Sequence, residues 1–331
     1  MSQPRIDIRH VLAVDLVQCL QWLLPRIDVE RAESVVAQVS ARVQIRRSGD
    51  VMATELRCEG NVVSAAVAIL QPPAAATLVA ISSGSDPPDA LTAGETDEMT
   101  IAMVEHLKKR LANAGVRFLQ FSTATASDVR LATLVGFQPI ADLAFMVLES
   151  PYPPENRPGD ARLRFELVAD DAALMNVACQ VAERSFEGTL DSPRLNDFRS
   201  ASEIVEGFRS SPTLNAQVWQ VLWDDETPVG CLILMAHSFP HDPAARDDQK
   251  ATDGRPVEAY EIHYMGIAPG RRRRGLGSLL ISRAVQSAEA VGAKRLVLAV
   301  DRENAPAITL YHRHGFQETV TESVWGMRIN P

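Results

Sequence analysis

Cysteine is scarce: four residues in a chain of 331, none in a Cys-x-x-Cys or other zinc-like spacing. That excludes a disulfide framework and a cysteine metal knuckle. Cys19, Cys58, Cys179 and Cys231 are spread over the whole chain and read as reduced, mostly buried residues. Long apolar runs are lacking as well. None approaches the roughly 18 residues that a membrane span needs, and Asp7 and Arg9 interrupt the N-terminal stretch before a signal core can form. These lacks predict a cytoplasmic protein with no membrane partner. Basic charge is not in excess: the net charge is −9, with 13 basic against 17 acidic residues in 1–150 and 20 against 25 in the remainder. A general nucleic-acid binder is therefore disfavoured. His237, His241 and Asp242 share a polar stretch with Pro240 inside it. The proline argues against the helix that His-x-x-x-His would need to hold a metal, so no metal is expected.

What is present is an ordinary globular composition, 46% hydrophobic and 23% charged. At about 100–200 residues per domain, the length suggests two domains. Ser150–Asp160 contains four prolines, which disfavour both helix and strand interior. This divides the chain into 1–150, a linker at 151–161, and 162–331. In the second part the patterns predict strands over 163–168, 216–223, 229–236, 259–267, 295–300 and 324–329, with helices over 171–184, 196–208, 275–291 and 306–314. Residues 237–256 read as a polar loop. The first part has a similar order: strands at 5–10, 51–57, 62–70, 77–82, 116–122 and 142–148, and helices up to about residue 41, over 99–113 and over 128–135. The fold class is α/β, of the mixed α+β kind.

The halves share a local pattern. Gly115 precedes the pair Gly136-Phe137 by 21 residues, and Gly292 precedes Gly315-Phe316 by 23. A helix, a strand and a second helix surround these positions in the same order, which points to an internal duplication.

Residues 261–280 carry the chemistry. A strand runs into a loop with Gly275 and Gly277, and a helix follows. The first turn of a helix leaves backbone N–H groups free and carries partial positive charge. Glycines there let a ligand come close, which suits a pyrophosphate. Arg272, Arg273 and Arg274 add charged, forked donors. A dinucleotide-binding loop would need a glycine at position 280, which is Leu280, and no Gly-Lys-Ser/Thr phosphate loop is present. A solvated or nucleic-acid-binding arginine run would explain the charge. It would not explain the glycines, the preceding strand or the apolar helix.

Arg272-x-x-Gly275-x-Gly277 at a strand-to-helix turn resembles the hallmark of the GNAT superfamily of N-acyltransferases, whose motif is Arg/Gln-x-x-Gly-x-Gly/Ala. Downstream, Asn304 to Phe316, with Pro306, Tyr311 and Gly315, resembles the family's second motif. The resemblance covers 163–329. It implies a GNAT fold, a central, mostly antiparallel twisted sheet with helices on both faces, present twice. It implies acetyl-CoA as acyl donor, a primary amine of a small molecule or protein as acceptor, and direct attack in a ternary complex. Met265, Gly266 and Ile267 resemble the strand end that pairs with the pantetheine arm. Arg272, Arg273, Arg274, Gly275, Leu276, Gly277 and Ser278 resemble the pyrophosphate turn, with Asn304, Ala307 and Tyr311 at the arm. Tyr311 holds the family's proton-donor position, and a phenol with an ordinary pKa near 10 keeps its proton at pH 7. Asn304 also reads as a helix cap.

For the base, Glu261 resembles a glutamate position in histone-type members. Strand alternation places Glu261, His263 and Met265 on one face, and His263 is the second candidate. Both also read as polar residues that merely line the cleft.

The first half resembles the same fold without its chemistry. Aligning Gly115 with Gly292 sets the acidic stretch Glu95–Thr100 opposite Arg272–Gly277. Counting back from Gly136 sets Thr125 opposite Asn304 and Ala132 opposite Tyr311. Such a half is a scaffold, a wall of the acceptor site or a homodimer surface, an arrangement shared by tandem members such as mycothiol synthase. The competing function is a non-catalytic acyl-CoA sensor that keeps the turn but uses neither Glu261 nor Tyr311. The resemblance does not identify the acceptor. Thr189–Asn196, the loop 237–256 and the last strands would choose it.

Overall fold

The structure is a computed structural model and describes residues 5–44, 48–83, 92–153, 161–211, 217–237 and 257–330. The expected loop lies outside the described residues except for His237, so His241 and Asp242 lie outside them, and so do residues 154–160 of the expected linker. The chain forms two compact units, one of residues 1–140 and 323–331 and the other of 141–322.

The first unit contains β1 (Ile6–Val11), α1 (Leu16–Leu23), α2 (Val29–Gln44), β2 (Val51–Cys58), β3 (Asn61–Gln71), β4 (Ala75–Ser83), α3 (Ala93–Asn113), β5 (Phe118–Thr123) and α4 (Ala126–Leu134). Strands β1 to β4 form an antiparallel meander, and β4 pairs with β5 in parallel from Ala75–Phe118 to Leu78–Phe121. The long β6 (Gln138–Glu149) leaves this unit and enters the second.

The second unit repeats the plan with β7 (Leu163–Leu167), α5 (Ala172–Ser185), α6 (Ala201–Arg209), β8 (Gln217–Asp224), β9 (Thr227–His237), β10 (Ala259–Ile267), α7 (Leu276–Ala290), β11 (Arg295–Asp301), α8 (Ala305–Arg313) and β12 (Gln317–Arg328). Strands β7 to β10 are antiparallel neighbours, and β10 pairs with β11 in parallel. Residues 143–149 of β6 then ladder with β11, while residues 323–328 of β12 ladder with β5. Each unit thus completes its sheet with a strand end from the other half of the sequence. For this reason the compact units divide at 140 and 322 rather than at the proline-rich stretch. A strand's partner is set by long-range pairing, which local composition does not record.

Helices cover both faces in each unit. In the second, Leu280, Ile281, Ala284 and Ala288 of α7 pack with Leu232, Leu234, Tyr260 and Leu296. On the other face Ala178 and Val181 of α5 and Val205 of α6 pack with Trp219, Val221 and Ile233. In the first unit, Met103, Leu107 and Leu111 of α3 cover one face, and Leu16, Leu23, Val35 and Val39 of α1 and α2 the other. Cys19, Cys58 and Cys231 are buried, Cys179 is half-buried, and all four are free thiols. Among the described residues no helix is long and apolar enough to cross a membrane.

Candidate active site

Among the described residues, the second unit's one parallel pairing is short. Strands β10 and β11 meet at Ala259–Arg295, Tyr260–Leu296 and Glu261–Val297. Beyond Glu261 each keeps only its outer partner: β10 stays with β9 as far as Ile267, and β11 stays with β6 as far as Asp301. The two strands splay, and their facing edges from 262 and 298 onward carry no mutual ladder among the described residues. Backbone N–H and C=O groups on such edges call for a partner.

A β-bulge at His263 in β10 shifts the register against β9, from Ile262–Leu234 to Tyr264–Ile233. The bulge corrects the expected alternation. Tyr260, Ile262, Met265 and Ile267 belong to the core beneath α7 and α8, whereas Tyr264 packs with the α5–α6 core. Met265 therefore does not share a face with Glu261 and His263, because an extra residue in a strand inverts the alternation beyond it. Glu261 and His263 do meet: Nδ1 of the imidazole lies 3.2 Å from Oε1 of the carboxylate. The imidazole edge also faces Phe208, with ring centroids 5.3 Å apart.

At Gly266, α5 presses close on the strand. A Cβ there would collide with the Ser185 hydroxyl and lie 2.8 Å from both Ser185 Cβ and the Tyr264 hydroxyl. Gly266→Ala is expected to destabilise the protein by about 1–3 kcal/mol. A urea melt would read this as a lower midpoint at unchanged slope.

After β10 the chain turns into α7. Gly275 is its N-cap residue, in the left-handed conformation (φ +79°), with no side-chain cap hydrogen bond and no acidic residue in the first turn. The N–H groups of that turn are left for an outside acceptor. Leu276 points into the core, so only its backbone faces the turn. Ser278 is half-buried. A Cβ on Gly277 would lie 2.9 Å from Leu310 Cδ2 of α8.

The arginines divide their work. Arg271 forms an ion pair with Asp224 at 2.6 Å. Arg272 is engaged with protein carbonyls: its guanidinium donates to the backbone oxygens of Ile267, Ser185, Glu187 and Gly188 at 2.7–3.0 Å. These partners differ from the anion that the charge pattern suggested, because the C-terminal carbonyls of α5 lack helical donors and attract a cation. Arg273, itself left-handed at φ +60°, and Arg274 are exposed.

Helix α8 starts at Asn304, whose Oδ1 accepts the Ala307 N–H at 3.3 Å, so the cap expected of Asn304 is present. Ala307 packs at the margin of the core. Tyr311 is only 6% exposed, and its ring centroid lies 5.7 Å from that of Phe316. Burial first, and the charge of Asp191 second, push its phenol above the ordinary tyrosine range. Tyr264 is raised likewise, chiefly by burial, and its hydroxyl lies 2.6 Å from Ser185 Oγ.

Several neighbours were not visible in the sequence. Asp191 Oδ1 accepts the Asp301 N–H at 3.0 Å, and Asp301 Oδ2 accepts the Ser192 N–H at 3.0 Å. These pairs lie about 110 residues apart, with no local motif to announce them.

The first unit shows the same frame closed off. Helix α3 begins at Ala93, six residues before the expected start. Its N-cap Thr92 accepts the Glu95 N–H while the Glu95 carboxylate accepts the Thr92 N–H, a complete capping box. The helix thus replaces the glycine turn and supplies its own anion. Thr125 caps α4 as Asn304 caps α8, and the buried Ala132 stands in the tyrosine's place. A cavity of about 370 Å³ in this unit is lined by Arg26, Ser82, Thr96 and Ser127 among others, and by Asp97 and Asp128, whose charges are paired with Arg130 and Arg31.

Residues 186–316 match the model of the Acetyltransferase (GNAT) family. Among curated relatives, a mycothiol acetyltransferase of Corynebacterium glutamicum (strain R) is 32% identical over 102 residues, 31% of this chain and 28% of that protein. The match thus spans under a third of that relative's length. Among solved structures, a GCN5-related N-acetyltransferase from Sphaerobacter thermophilus superposes with a TM-score of 0.60 at 15% identity, over 98% of this chain and 96% of that one. A tandem GNAT protein from the clavulanic acid biosynthesis pathway gives 0.54 at 12% identity, over 99% of both chains. The likeness to these two structures concerns the fold, which is that of a doubled GNAT protein.

Proposed function

Taking residues 186–316 as a GNAT domain, we propose that this chain transfers an acetyl group from acetyl-CoA to a primary amine by direct attack in a ternary complex. The observation that carries this reading is the contrast between two helix starts. The first turn of α7 is uncapped, free of acid and placed at the open end of the β10–β11 splay, whereas the first turn of α3 is filled by Glu95.

In this reading the N–H groups of residues 276–278 receive the pyrophosphate, and Arg273 and Arg274 lie near enough in sequence to add charge. The unpaired edge of Met265–Ile267 and the amide of Asn304 hold the pantetheine arm. An alkylamine arrives mostly as its ammonium ion. Glu261 and His263, hydrogen-bonded to each other, take the proton that frees the nitrogen lone pair, directly or through water. As the nitrogen forms its bond to the thioester carbon and the carbon–sulfur bond breaks, Tyr311 donates a proton to the departing sulfur and is restored by the second proton that the nitrogen sheds in becoming an amide. The products are the amide and the free thiol, with one proton released to solvent.

Acetyl-CoA at 100 times its dissociation constant is expected to stabilise the folded chain by about 2.7 kcal/mol. A thermal melt with and without acetyl-CoA reads this as a raised midpoint. No shift in a folded protein would remove acetyl-CoA from this site. A shift without turnover on any amine would favour the non-catalytic acyl-CoA sensor.

A further inference from the structure

Arg272 lies in the turn that leads to α7, yet its side chain reaches into another segment. Nε donates to Ile267 O at 3.0 Å, Nη1 to Gly188 O at 3.0 Å, and Nη2 to Ser185 O and Glu187 O at 2.7 and 2.9 Å. Three of these oxygens belong to the end of α5 and the residues after it. That segment is held at its other end too. Asp301, 1% exposed at the end of β11, exchanges hydrogen bonds with Asp191 and Ser192, and its Oδ1 accepts the Glu303 N–H at 2.9 Å. Asn304, the α8 cap, follows three residues later. Ser185–Ser192 is therefore a strap with one end tied to the glycine turn and the other to the start of α8. Ser185 and Phe186 lie against Tyr264 at one end, and at the other Asp191 is close enough for its charge to act on Tyr311.

We propose that Arg272 is a positioning residue that couples the glycine turn to the strap, so that binding of the acyl donor orders Ser185–Ser192 before the acceptor enters. The inference rests on the reading of α7 as the acyl-CoA site. A guanidinium is planar and rigid, and its N–H groups point in fixed directions. The four carbonyls can be met together only when the backbone of residue 272 is held in one pose. A ligand that fixes the turn therefore favours the pose in which the strap is also held. Such coupling is reciprocal, so an occupied strap also tightens the hold on the donor. Lysine could meet these oxygens only as a single point charge and would transmit less.

Hydrogen exchange on the full chain, with and without free CoA, tests this. In the wild type, CoA is expected to slow exchange by about tenfold or more in residues 272–279 and also in 185–192. In Arg272→Gln, residues 272–279 are expected to remain protected by CoA, while 185–192 exchange at their ligand-free rate. Arg272→Lys, which keeps the charge at the end of α5, is expected to lose the same protection and stands in if the glutamine variant does not fold. The proposal is overturned if wild-type 185–192 ignores CoA while 272–279 responds. It is also overturned if a folded Arg272 variant no longer binds CoA, since the guanidinium would then be a phosphate ligand, or if both variants retain the protection. If CoA protects neither segment in the wild type, the acyl-CoA reading itself fails and this proposal with it.

Discussion

Tyr311→Phe is expected to lower kcat for acetyl transfer by about 10²- to 10⁴-fold, the usual contribution of a positioned proton donor. The dissociation constant for acetyl-CoA should change little. The phenyl ring fills the same space beside Phe316, so the core under α8 keeps its packing. Loss of one hydroxyl should cost the fold no more than about 1.5 kcal/mol. The measurement is steady-state release of the CoA thiol with a responsive amine, beside a thermal melt of the variant with acetyl-CoA. A variant that binds acetyl-CoA and turns over at the wild-type rate would remove Tyr311 from the chemistry. The pH profile carries a second sign. An acid loses function once pH exceeds its pKa, and both burial and the nearby Asp191 raise that of Tyr311. The rate should therefore show no falling alkaline limb up to about pH 10, where an ordinary phenol would already be half ionised.

The sequence was most readable where function and local structure coincide. The glycines of the turn, the Asn304 cap and the apolar spacing of α7 and α8 are recorded within a few residues, and helix and strand positions near them fall within one or two residues of expectation. The start of α3 was legible too, as Thr92-x-x-Glu95, but the apolar spacing that begins at Met99 hid it. What local pattern cannot record is pairing across the chain. The bulge at His263 depends on β9, the strap depends on Asp301, and Arg272 finds three of its four partners more than 80 residues away. Charge alone made four neighbouring arginines look alike. The structure separates them by what each can reach: Asp224 for Arg271, the end of α5 for Arg272, and solvent for the other two.

On the proposed reading, that separation makes the helix start itself the main anion site, and Ser278→Glu tests it with two effects of opposite sign. Ser278 is the third residue of α7 after the cap, the position that Glu95 occupies in α3. A carboxylate in the first turn interacts favourably with the helix dipole, so the ligand-free variant should be as stable as the wild type or gain about 0.3–1 kcal/mol. The same carboxylate competes for the N–H groups that a pyrophosphate needs and repels its charge. The melting shift caused by acetyl-CoA should therefore disappear, although the protein alone melts no lower. Ser278→Gln, of similar size and uncharged, should retain much of the shift. A variant that loses ligand-free stability would show that bulk at this position disturbs α7. One that keeps the acetyl-CoA shift in full would place the phosphates elsewhere. If the shift is lost at undiminished stability, a single side chain has reproduced in α7 the closure that the first unit carries in α3.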